Sequence, residues 1–275
     1  MCKIGWAARH IGFPVEWGLD LRHTENSNKK TRGSMTMPLA VPKLRSCSDC
    51  PIRYNAVCSK CDPDELRRLE EIKYYRTYSA GQTIFFGGDP LEFVSSLVSG
   101  VTSLTRTLPD GRIQMVGLLL PGDFMGRPNR ETIECDVIAE TDVMLCCFRR
   151  KPFEKMIEET PHVGQRLLEM TLDELDAARE WMLVLGRKTA REKIASLLHM
   201  IAVRMASLEP SETAQATFTL PITRETMANY LGLTIETVSR QMSALKKDGL
   251  IAFDERRDIR VPDLEDLKAE TGEYA

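Results

Sequence analysis

No stretch of this chain comes near the ~20 consecutive apolar residues that a membrane helix requires, and the N-terminus lacks the apolar core of a secretory signal. The expected location is therefore the cytoplasm, where thiols stay reduced, so the eight cysteines are not expected to form disulfides. A Gly-rich dinucleotide loop and a recognisable nucleophile–base pair are also missing, which argues against an enzyme. Nor is there a general excess of positive charge. The formal net charge is -3, which argues against indiscriminate attraction to nucleic acid. The charge is unevenly spread, however: residues 186–260 hold 12 Lys and Arg against 9 Asp and Glu, a local surplus of three near the C-terminal end. With 275 residues, 43% of them hydrophobic, the chain is long enough for two domains of ~100 to 150 residues, each with its own core.

What the chain does have is half of its cysteines in one short, loop-like segment, Cys47, Cys50, Cys58 and Cys61. Thiolates two residues apart on a tight turn converge on one ion or cluster, and Asp49 and Pro51 suit such a turn. The spacing C-x2-C-x7-C-x2-C fits two chemistries. One is a closed four-thiolate zinc site using all four. The other is an iron–sulfur cluster held by three of them and a fourth thiolate from elsewhere in the chain.

Residues 1–45 show no sustained period and read as a poorly ordered leader ending in Pro38 and Pro42. After the cysteines, Asp62-Pro63-Asp64-Glu65 predicts an N-cap and a short helix carrying Leu66, Leu69 and Ile72. From Lys73 to Phe148 brief apolar or alternating runs are cut by Gly, Pro and Asp, the pattern of a β-sandwich or barrel. Gly100, Gly111 and Gly122 fall where hairpins need positive φ, and their framework resembles the β-roll of the cyclic-nucleotide-binding superfamily. The phosphate-holding residues of the nucleotide-binding members are not matched. Gly126 is followed by Arg127-Pro128-Asn129, and Glu131 and Glu134 would repel a phosphate, so cyclic-nucleotide binding is not expected. The last strand of the roll contains Cys146 and Cys147, which point to opposite faces, so one alone can meet the N-terminal cysteines. Cys135 reads as a small buried hydrophobe.

Pro161 to Arg187 predicts a long helix in which Leu168, Thr171, Leu175, Ala178, Met182 and Leu185 recur at steps of three and four, the seam of a parallel two-stranded coiled coil. A further helix runs from Thr189 to about Ala206, and a polar loop spans Ser207 to Gln215. Then a helix broken at Gly232 and a second helix capped by Thr234 form a helix-turn-helix pattern. The second helix opens with Glu236, Thr237, Ser239 and Arg240 and places Val238, Met242 and Leu245 on the opposite face. Arg240 suits guanine O6 and N7, Glu236 suits cytosine N4, and Ser239 suits a neighbouring base or phosphate. Lys246, Lys247, Arg256 and Arg257 suit phosphates, the last two in a charged wing hairpin.

The Glu236-Thr237-Val238-Ser239-Arg240 run, the glycine framework and the cysteine cluster together resemble the Crp/Fnr transcription regulators over roughly Cys47 to Leu267, in the oxygen-responsive FNR branch, with a cysteine spacing like its alphaproteobacterial FnrL/FnrN type. The resemblance implies an α+β architecture: a cysteine segment and β-roll over 46–160, a dimerisation helix over 161–187, and a winged helix-turn-helix over 188–275. It also implies a [4Fe-4S] cluster held by Cys47, Cys50, Cys58 and Cys146, with Cys61 and Cys147 as the extra thiols. The implied partners are a second copy of the chain, a DNA palindrome resembling TTGAT-N4-ATCAA, and RNA polymerase. In the enteric relative an acidic residue on the dimer helix supplies like-charge repulsion. The matching seam position here, by the heptad count, is Ala178, which adds none.

Overall fold

The computed structural model describes residues 46–206, 215–253 and 258–272, all within one unit running from residue 39 to the C-terminus. The leader, the tip of the wing with Arg256 and Arg257, and most of the polar loop lie outside the described residues.

Asp62 starts helix α1 (Pro63–Ile72): its carboxylate accepts from the N–H groups of Asp64 and Glu65 at 2.9 and 2.8 Å, and Glu65 Oε2 accepts from the Asp62 N–H at 2.9 Å. The chain then enters a roll built from β1 (Lys73–Tyr78), β2 (Thr83–Phe85), β3 (Phe93–Ser99), β4 (Thr102–Thr107), β5 (Ile113–Leu119), β6 (Phe124–Met125), β7 (Asp136–Ala139) and β8 (Val143–Arg149). Two antiparallel four-stranded sheets result, in the orders β1-β8-β3-β6 and β2-β7-β4-β5. Gly100 joins β3 to β4 at φ +84°, and a Cβ there would collide with the Asp142 carbonyl, so the turn requires glycine on both counts.

Helices α2 (Arg150–Glu159) and α3 (Pro161–Arg187) follow. At 27 residues α3 is about 40 Å long. Val163 near its start and Val184 near its end are buried, while Leu168, Leu175 and Met182 between them are 60%, 45% and 72% exposed. Thr171, Ala178 and Leu185 are exposed as well, so the whole expected seam is open on the single chain. The Thr171 hydroxyl donates back to the Leu167 carbonyl at 2.8 Å, leaving its methyl group to the seam.

The C-terminal part comprises α4 (Ala190–Ala206), β9 (Ala216–Thr219), α5 (Arg224–Leu231), α6 (Ile235–Lys247), β10 (Ala252–Phe253), β11 (Asp258–Val261) and α7 (Leu264–Ala269), with the strands ordered β10-β11-β9. Sequence reading does not single out α2, β9 or α7. Each is short, and its apolar spacing covers too few positions to separate from neighbouring loops.

Two hydrophobic clusters form the interior. The first fills the roll with Phe93, Leu97, Leu145 and Phe153 and extends to Ile52, Ala56, Val57 and Leu69 of the cysteine segment and α1. The second gathers Ile194, Leu198 and Ile201 of α4 with Met227, Tyr230, Val238 and Leu245, and it includes Val101, Met115 and Leu120 from the roll.

Candidate cofactor centre and nucleic-acid interface

The segment before α1 is a run of tight turns, with the N–H groups of Arg53, Asn55, Ala56, Ser59 and Cys61 donating to carbonyls three or four residues back at 2.9 to 3.1 Å. Arg53 locks these turns from inside: its guanidinium donates to the carbonyls of Cys58 at 2.5 Å and Cys61 at 3.1 Å. Pro51 and the Cys-x2-Cys spacing make the chain double back, and Ile52, Ala56 and Val57 anchor it in the roll's core.

A small cavity, partly open to solvent, lies between this segment and the face of the roll. Cys47, Cys50, Cys58 and Cys146 all line it, together with Ile52, Leu69, Tyr75, Ser96 and Phe148. Cys61 and Cys147 do not line it. Cys147 is fully buried on the other face of β8, where Tyr74 and Ser95 are its cross-strand neighbours, and its thiol lies 3.8 Å from the Leu145 carbonyl. Cys146 sits between Tyr75 on β1 and Ser96 on β3.

The thiols resist ionisation on their own. Burial pushes Cys58 up to about 11, against the pull of Arg53 and with a further push from Cys50 and Cys47. Burial also raises Cys50, and it raises Cys146 well above the ordinary thiol range, with Cys47, Cys50 and Cys58 adding like charge. A cationic metal centre reverses both effects, so four converging thiols in an apolar cavity are a fitting donor set for one. Lys73, which sequence reading treats only as the start of the roll, contributes one positive charge: its Nζ donates to Cys47 Sγ at 3.1 Å and to Glu70 Oε1 at 3.0 Å. The same Glu70 oxygen accepts from the Cys47 N–H at 3.0 Å.

The spacing also bears on which centre fits. Tetrahedral zinc with Zn–S near 2.3 Å holds its sulfurs about 3.8 Å apart. Among the described residues only Asp62, Glu65 and His162 place three potential ligand atoms within 4.8 Å of one another, so no three cysteine sulfurs do. Those three residues have other roles, since Asp62 and Glu65 form the α1 cap and His162 Nδ1 lies 2.9 Å from Glu65. Among the described residues no three sulfurs of Cys47, Cys50, Cys58 and Cys61 stand at that spacing.

A second cavity, between β6, the segment before β7 and α3, is lined by Gly126, Arg127, Thr132, Glu134, Cys135 and Glu174 among others. Arg127 lies 3.8 Å from Glu134 there, and burial raises the Glu174 carboxyl above its usual range. Two carboxylates and one already paired guanidinium make a poor phosphate site.

In the C-terminal part, Thr223 accepts from the Thr226 N–H at 3.0 Å to start α5, which ends at Gly232 with φ +62°. Thr234 accepts from the Thr237 N–H at 3.2 Å to start α6. Glu236, Ser239 and Arg240 are exposed on one side of α6, and Val238, Met242 and Leu245 are buried on the other. Lys247 is exposed. Lys246 is placed otherwise than a free phosphate contact: its Nζ donates to the Phe253 carbonyl at 2.9 Å and lies 4.3 Å from the centre of that ring, tying α6 to the wing.

Residues 192–270 match the family model of the Crp-like helix-turn-helix domain, and residues 75–160 match the cyclic nucleotide-binding domain. The chain is 62% identical over 240 residues to the transcriptional activator protein FnrL of Cereibacter sphaeroides, covering 87% of this chain and 97% of that one. The chain belongs to the Crp/Fnr family of transcription regulators. The fumarate nitrate reduction regulatory protein of Klebsiella oxytoca is a more distant member, 28% identical over 75% of this chain and 82% of its own. The Crp/Fnr architecture is shared with the solved structure of FixK2 from Bradyrhizobium japonicum, at a TM-score of 0.66 and 30% identity over 74% of this chain and all of that one. Like its relatives, this Crp/Fnr protein is a DNA-binding regulator. Among the described residues no helix is long and apolar enough to cross a membrane.

Proposed function

We propose that this regulator is an oxygen-responsive, homodimeric transcription activator of the cytoplasm, with a [4Fe-4S] cluster held by Cys47, Cys50, Cys58 and Cys146. The supporting observation is that these four thiols line one cavity while Cys61 and Cys147 lie outside it. When bound there, such a cluster supplies a covalent bridge that oxygen can break.

The chain's own residues carry the consequence. Cys47, Cys50 and Cys58 belong to the turn segment, and Cys146 belongs to the roll, so a shared ligand set fastens the segment to β8. The segment also grips the start of α3. Arg166 donates to the Asn55 carbonyl at 2.9 Å and Lys60 pairs with Glu169, while His162 meets Glu65 of the adjoining helix α1. Seating the segment therefore fixes the first turns of α3, whose exposed seam Leu168, Thr171, Leu175, Ala178, Met182 and Leu185 pairs with a second copy. A turn segment fastened in this way would favour one of two arrangements of this helix pair. Two copies then present Glu236, Ser239 and Arg240 to an inverted repeat resembling TTGAT-N4-ATCAA, with Thr234 and Thr237 at the head of α6, and with Lys247, Arg256 and Arg257 on phosphates. RNA polymerase is the further partner.

Protein purified without oxygen is expected to be brown, to contain iron and sulfide in comparable amounts, and to bind the palindrome until exposed to air. Colourless protein carrying stoichiometric zinc would overturn this reading.

A further inference from the structure

Four buried polar side-chain atoms have no hydrogen-bond partner among the described residues: the hydroxyls of Ser95, Ser96 and Thr102 and Arg166 Nε. Of these residues, Ser96 alone lines the cysteine cavity. It is 2% exposed, stands directly across from Cys146 on β3, and shares that face of the sheet. Buried hydroxyls are normally satisfied, and an orphan facing a cavity marks a place where a bound group supplies the acceptor.

We propose that Ser96 is a positioning residue of the cofactor centre that donates its hydroxyl hydrogen to a sulfur of the bound group, either the Cys146 thiolate or an inorganic sulfide. This rests on the cluster reading above. Hydrogen bonds to sulfur favour the more electron-rich form of such a cluster, so Ser96 raises its reduction potential and slows its oxidative loss. The rest of the cavity offers little competition for that role. Ile52, Leu69 and Phe148 are apolar, and the Tyr75 ring is the one other polar side chain the roll contributes to the lining.

Neighbouring Ser95 is an internal control. It is equally buried and equally unpartnered on the same strand, but it faces Cys147 on the opposite side of the sheet. Both Ser95→Ala and Ser96→Ala remove an orphan hydroxyl, so a purely structural effect is common to the two.

The experiment uses full-length protein loaded anaerobically. It records iron and sulfide content, midpoint potential, the Fe–S stretching spectrum in H2O and D2O, and the rate of absorbance loss at fixed dissolved oxygen. Ser96→Ala is expected to load like wild type, to lose the cluster about threefold faster or more, to show a more negative potential, and to lose the D2O-sensitive stretching shift. Ser95→Ala should match wild type, and Ser96→Thr should restore the wild-type rate. A Ser96→Ala protein that folds but loads no iron supports the donor role if Ser96→Thr restores loading, and overturns it if Ser96→Thr does not. Iron-loaded Ser96→Ala that matches Ser95→Ala in rate, potential and spectrum overturns this inference alone. Wild-type protein with no iron or sulfide overturns it together with the cluster reading.

Discussion

Lys73 Nζ lies 3.1 Å from Cys47 Sγ, with Glu70 bridging the amine and the Cys47 backbone. The lysine side chain is 9% exposed; burial works against its charge, but the hydrogen bonds to Cys47 and Glu70 together outweigh it and hold its pKa above the usual range, so it stays charged at neutral pH. A buried ammonium at a thiolate favours the ligand's ionised form and orients it. Lys73→Met should therefore lower retention of the metal centre about 10-fold or more, within the range seen when such supporting partners are removed. Iron and sulfide remaining after anaerobic gel filtration give the measurement, with circular dichroism as the check on folding. Unchanged retention would mean that the Lys73–Cys47 bond is incidental.

Single cysteine replacements should divide into two classes. Cys146→Ser is expected to abolish iron and sulfide binding, whereas Cys61→Ser and Cys147→Ser should keep both. Cys147→Ser leaves a hydroxyl in a fully buried site and should lower stability by about 1 to 3 kcal/mol without removing colour. Loss of the centre in Cys61→Ser with retention in Cys146→Ser would invert the ligand assignment.

Two basic positions on α6 should behave differently on DNA. Arg240→Ala is expected to weaken binding by about 1 to 3 kcal/mol, mostly at the half-site G·C pair. Lys246 is engaged with Phe253, so Lys246→Ala should weaken binding through displacement of the wing. Its salt dependence should stay close to wild type, instead of losing the ~1 unit of slope that a released phosphate contact implies. Titrations at several salt concentrations on matched and mutated half-sites separate the two cases.

The seam makes a prediction about the cluster-free state. Ala178 places no charge between paired helices, and the Thr171 hydroxyl is satisfied within its own helix. Two carboxylates ~5 Å apart at an effective dielectric of ~20 would repel by about 3 kcal/mol before screening, and that term is missing here. Cluster-free protein should remain partly dimeric in sedimentation at concentrations where Ala178→Asp is monomeric. A clean dimer-to-monomer switch of the unaltered chain on air exposure would remove Ala178 from the argument.

How much of this was legible in the sequence depended on how local each feature is. The caps at Asp62 and Thr234, the helix ends at Arg187 and Gly232, and the opposed faces of α6 follow from residues within a turn or two of each other. They appear where the spacing predicts. Strand alternation required Cys146 and Cys147 to diverge, and the fold sends them to opposite faces. Other features were not legible because they depend on pairing across long stretches of chain. Ser96 looks like filler in an apolar strand until β3 is set beside β8, and Lys73 gains meaning from a partner 26 residues earlier. Arg166 reaches the Asn55 carbonyl across 111 residues, a contact that no periodicity signals.

The interior shared by the roll and the C-terminal part limits how the molecule can be dissected. Val101, Met115 and Leu120 of the roll pack in the same cluster as α4 and α5, Trp181 of α3 lies 4.6 Å from the Tyr230 ring, and Gln114 donates to the Asn229 carbonyl at 3.2 Å. A fragment beginning at α4 would carry the whole reading helix yet lose this apolar seat. The raw surface left behind would make the excised fragment prone to self-association, and its affinity for DNA would describe a damaged particle instead of half of the regulator.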